Sequence, residues 1–201
     1  EQFSTAPPHF SFRNEDTGKA VSAEAVYRDG MFRFVGLPNG TYGVQTTVEG
    51  SMNNPSMYPG DYYSWTQFTV RDKNPQLRID LKRVIHLTSP ENNNVPMPNW
   101  SIEQSKMTVL PDGKVKIGWD SLGSDVFYDY KISVMGSPYK YLSIAAAGTT
   151  TENSVTLVLP SNLEDGYYLL TIEARKDGRQ IGLLMTHGAG GMGWDYRFRV
   201  E

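Results

Sequence analysis

Near its C-terminal end the chain carries Gly188-Ala-Gly190-Gly-Met-Gly193, which fits G-x-G-x-x-G letter for letter. In a dinucleotide site such glycines let the backbone approach a pyrophosphate, which rests on the N-terminus of a following helix. Here the residues that follow alternate as a strand does, so the segment reads as a glycine loop between two strands. His9, His86 and His187 are scattered singly, with no spacing that would converge on zinc. The absence of cysteine excludes disulfides, thiolate metal sites and cysteine nucleophiles. The carboxylate pairs Glu15-Asp16 and Glu164-Asp165 sit beside glycine turns, where Asp serves local backbone hydrogen bonds better than acid–base chemistry. No catalytic residue, metal or cofactor is therefore expected. What remains is Tyr58-Pro-Gly-Asp-Tyr62-Tyr63-Ser-Trp65, four aromatics in eight residues. Tyr and Trp offer large rigid area with a polar handle, suited to stacking on sugar rings or anchoring a protein partner. Tyr58, Tyr62, Tyr63 and Trp65 are the candidate ligand-binding residues.

These side chains must be held by strands. Phe68 and Val70 set the inward parity of Tyr62–Val70, which predicts Tyr62 facing in and Tyr63 and Trp65 facing out. The competing expectation is that these two rings cover the joint with a second domain. Upstream, Gly30 to Val48 alternates on both halves around Leu37-Pro-Asn-Gly40 and reads as a β-hairpin. Ser22 to Tyr27 supplies a preceding small-residue strand. Leu77, Ile79 and Leu81 predict a further strand, and continued parity through Ile85 and Leu87 predicts that it runs on into a second domain across a stiff joint.

Beyond a Pro- and Asn-rich loop, inward rows follow at regular spacing: Val115, Ile117 and Trp119; Tyr128, Tyr130, Ile132 and Val134; Val155, Leu157 and Leu159; Tyr168, Leu170, Ile172 and Ala174; Ile181, Leu183 and Met185; Tyr196, Phe198 and Val200. The prediction is an all-β chain of two tandem antiparallel β-sandwich domains, residues 1–84 and 85–201. The length of 201 residues accommodates two cores, and 19 Gly with 12 Pro supply the turns. A net charge of −3 gives no cationic field for a phosphate backbone, so no nucleic-acid partner is expected. No apolar run of about 18 residues is present, so no membrane span is expected. A start at Glu1, without Met or an apolar leader, suggests a processed chain or a cloned fragment.

Two resemblances build on these residues. The G-x-F-x-F strand from Gly30 to Phe34, followed by G-L-P-x-G-T-Y from Gly36 to Tyr42, resembles the carboxypeptidase regulatory-like, transthyretin-like sandwich. The Trp119-Asp strand, the Tyr130-x-Ile-x-Val strand and the L-x-x-G-Y-Y-x-L-x-I-x-A run from Leu163 resemble a fibronectin type III or Ig-like sandwich, with Leu163 and Tyr168 spaced like a short tyrosine corner. The resemblance implies a non-catalytic binding or spacer module of a secreted, periplasmic or cell-surface bacterial protein, whose partner is a glycan or a surface protein. Its alternative is an accessory segment of a larger secreted hydrolase.

Overall fold

The computed structural model describes residues 8–29, 31–48, 62–71, 75–89, 106–107, 110, 112–136, 140–160, 166–184, 186–188, 191–193 and 196–200. Period-2 alternation of apolar and polar side chains holds along most of this length, and the described residues accordingly contain strands and no helix. The described residues up to Lys82 form one compact unit and those from Arg83 onward form another.

The first unit contains β1 (His9–Asn14), β2 (Lys19–Val21), β3 (Glu24–Arg28), β4 (Met31–Val35), β5 (Gly40–Val48) and β6 (Tyr62–Val70). An antiparallel sheet runs in the order β6-β5-β1-β2, and β3 and β4 form a separate two-stranded sheet. Between these layers Phe34 meets Phe10 and Phe12 edge to face at 4.8 and 4.9 Å. Phe12, Tyr42, Val44 and Phe68 are the buried centre of this core.

The hairpin expected across Gly30–Val48 is not formed, although both of its strands are. Asp29, with φ of 53°, reverses the chain just before Gly30 and pairs β4 back onto β3. The segment Gly36–Asn39 then crosses between the layers. Gly36 takes φ of 93°, Leu37 drops into the core, and the Tyr42 hydroxyl donates to the Pro38 carbonyl at 2.8 Å. Thus β5 finds its partners in β1 and β6. The strand expected at Leu77–Leu81 is also corrected: Leu77 and Ile79 reach the core, but residues 75–81 join no ladder.

The second unit holds β7 (Lys82–Ile85), whose paired residues begin at Arg83, then β8 (Leu87–Ser89), β9 (Lys106–Met107), β10 (Val115–Trp119), β11 (Phe127–Gly136) and β12 (Lys140–Thr150). It continues with β13 (Ser154–Leu157), β14 (Gly166–Lys176), β15 (Arg179–Leu184), β16 (Thr186–Gly188), β17 (Gly191–Gly193) and β18 (Tyr196–Val200). One sheet is β13-β10-β8; the other runs β12-β11-β14-β15-β7, with β18 also on β14 and β9 on β18. Pairing is antiparallel except for β7 with β15 and β9 with β18. Trp119, Tyr128, Ile132, Tyr168, Leu170 and Phe198 fill the core between the sheets. The Tyr168 hydroxyl donates to the Pro160 carbonyl eight residues upstream, the kind of bond a tyrosine corner makes, while Leu163 lies outside the described residues.

The strand expected to run unbroken through Ile85 and Leu87 is interrupted at His86, and there the chain changes sheets. Asp120 holds the break by accepting the His86 N–H at 2.8 Å and donating its own N–H to the His86 carbonyl at 3.0 Å. The inward row expected on β15 is corrected as well. Ile181 is an extra residue opposite the Ala174/Arg175 step, so past this bulge Gly182 and Leu184 are the buried residues rather than Leu183. Met185 lies outside the described residues. The long edge strand β12 is an addition that its sequence, with three consecutive alanines at Ala145–Ala147, did not announce.

Candidate binding face

One face of the β6-β5-β1 sheet turns away from the first unit's core. Its rows follow from the register. Gln67, Gly43 and Arg13 stand side by side, then Trp65, Gln45 and Ser11, then Tyr63, Thr47 and His9. Apart from the tyrosine end, this is a polar face with one large exposed apolar side chain, Trp65, which is 36% exposed.

The indole does not stand up from the sheet. Its Cζ2 and Cη2 occupy the space that a Cβ at position 43 would fill, and Glu15 Oε1 would lie 2.8 Å from that same Cβ. Diagonal neighbours across an antiparallel pair are within reach of an aromatic side chain, and the missing side chain at Gly43 lets the ring lie down on the strand. Glu15 arrives from the turn after β1, which is pinned to β5 at Thr41: the Glu15 N–H donates to the Thr41 carbonyl at 2.9 Å, and the Thr41 N–H donates to Asp16 Oδ2 at 3.0 Å. Glu15 Oε1 is buried and has no hydrogen-bond partner.

The candidate aromatics are not brought together. Trp65 faces out as expected. Tyr62 has the parity of the core yet is 37% exposed, because it sits at the last rung of the β5–β6 ladder opposite Val48. Tyr63 shares the parity of Trp65 but is 5% exposed, which corrects its expected outward exposure. At that end Thr46, Thr47, Val48, Tyr63 and Ser64 are all buried, so the ladder is covered on both faces. Tyr58 lies outside the described residues.

Two further carboxylates hold backbone groups. Asp16 fixes Thr41, and Asp120 fixes His86. Glu164 and Asp165 lie outside the described residues. Of the glycine motif, Gly188 and Gly191–Gly193 belong to a strand pair with Gly188 opposite Gly191, and residues 189 and 190 lie outside the described residues. Among the described residues no three His, Cys, Asp or Glu side chains gather as metal ligands. Gly43 and Glu15 were missed as site residues because nothing in a linear reading links a strand glycine to a ring on the next strand.

No family model and no curated protein matches the chain. Among solved structures it is similar to a DUF3823 family protein from Bacteroides ovatus, with 11% identity, 96% of this chain and 88% of that chain covered, and a TM-score of 0.25. At that distance the architecture rests on this chain's own strands, and so does the binding face.

Proposed function

We propose that the chain is a non-catalytic binding module of a secreted or cell-surface bacterial protein, and that its ligand sits on the β6-β5-β1 face at Trp65. One observation carries the reading. The indole lies across Gly43 on a polar, solvent-facing sheet where the first unit's core does not need it. A Trp placed this way offers a rigid amphipathic ring beside hydrogen-bonding side chains, a combination suited to recognition. The export and surface location come from the carboxypeptidase regulatory-like resemblance of Gly30–Tyr42 and belong to the same proposal. The non-catalytic part of the reading comes from the same resemblance and belongs to the same proposal.

Trp65→Ala tests this reading in a screen of glycans and surface proteins against the intact chain. Binding should weaken by about 1–3 kcal/mol while the melting temperature stays nearly unchanged, since the ring lies outside the core. Binding that survives Trp65→Ala, or a melting temperature that falls with it, removes the assignment. Tyr63→Ala should do the reverse and destabilise the fold, because that ring is buried.

A further inference from the structure

We infer that β3 is a docking edge for a second copy of this chain, the two β3 strands pairing antiparallel about Val26 so that the β3-β4 pairs of both copies join into one four-stranded sheet. This goes beyond the Trp65 face and does not depend on it. Among the described residues β4 is the one ladder partner of β3, and all five β3 residues are exposed. Such an edge offers its free N–H and C=O groups to another strand. The register with β4 sorts the side chains. Ala25 and Tyr27 stand opposite Phe34 and Phe32, whose rings meet Phe10 in the first core, so Glu24, Val26 and Arg28 face solvent. The order of these residues chooses the occupant. Laid antiparallel on its own copy with Val26 at the centre, the run Glu24-Ala-Val-Tyr-Arg28 puts Glu24 of each copy opposite Arg28 of the other on the outer face, and Tyr27 of each opposite Ala25 of the other on the inner face. Every charge then meets its opposite, and each large ring meets a small side chain. In the single chain these groups lack such complements. Glu24 has no cation partner among the described residues, Arg28 reaches the adjacent exposed Asp29 at 3.4 Å, and Tyr27 has core parity yet is 65% exposed. A copy of β3 supplies all of them by symmetry.

Five residues a side make a small contact, so the dimer is of the weak class, with a dissociation constant on the order of 100 μM. The experiment is sedimentation equilibrium of the intact chain and its β3 variants from about 10 μM to about 1 mM. The parent is expected to dimerise over that range, and less so as salt is raised, because the paired charges are exposed. Each substitution enters the two-fold contact twice. Glu24→Arg alone and Arg28→Glu alone each set like charges face to face and should raise the dissociation constant about tenfold, whereas the two together restore opposite charges and should recover most of the parent affinity. Val26→Glu places two carboxylates at the symmetry axis and should leave the chain monomeric; within one chain the new carboxylate stands opposite Arg33, so β3 keeps its pairing with β4. Circular dichroism melts on every variant separate lost association from lost folding. A parent chain that stays monomeric throughout overturns the inference, including the case in which β3 takes up an extended segment of another protein instead. So does a dimer indifferent to Val26→Glu, or one whose single charge reversals the double variant does not rescue.

Discussion

Tyr168 illustrates what a single buried polar atom does in this chain. Its ring is fully buried against Phe198, and its hydroxyl reaches the Pro160 carbonyl. Burial raises the phenol above its usual pKa of about 10. The folded state thus favours the neutral form, and the stability this contributes is complete below the unfolded pKa and is lost as pH rises through the folded one. Tyr168→Phe should cost about 1 kcal/mol near neutrality through the lost hydrogen bond. Its deficit relative to the parent should shrink as denaturant melts are repeated from neutral to strongly alkaline pH, and a constant deficit would contradict the burial argument. Leu163 and Tyr168 made this corner legible in the sequence. Trp65 was legible only as an outward aromatic; its partner Gly43 was not, because the contact runs diagonally between strands whose register no local pattern sets.

At the scale of elements, the period-2 pattern located strands well and their partners poorly. The stretch Gly30–Val48 holds two true strands, yet Asp29 supplies a tighter reversal than Leu37-Pro-Asn-Gly40 and captures β4 for β3. On β15 a single extra residue, Ile181, exchanges the buried and exposed sides of everything after it. The exchange puts Gly182 where the chain has no room. A Cβ there would overlap the Leu122 side chain and stand 3.1 Å from the Arg83 carbonyl oxygen. Gly182→Ala should therefore destabilise the second unit by about 1–3 kcal/mol, read as a shifted urea midpoint at unchanged slope. A neutral result would mean that β15 slides easily past Leu122.

For the whole molecule, the two hydrophobic cores are drawn from separate lengths of chain. One is built from residues between Phe10 and Ile79, the other from residues between Ile85 and Val200. We expect a fragment of residues 82–201 to unfold in one cooperative transition and to keep the near-ultraviolet dichroism of the buried Trp119; a broad melt without that signal would refute an independent second domain. The sequence by itself determined the all-β class, the inward rows around Trp119, Tyr128 and Tyr168, and the outward parity of Trp65, because alternation is a local property that each strand carries alone. Only the tertiary structure decided which strands pair, where Ile181 breaks the parity, that the cover at the end of the β5–β6 ladder hides Tyr63, and that Trp65 rests on Gly43 beside Glu15. Those outcomes depend on contacts between residues far apart in the chain, settled by how the strands fit against one another.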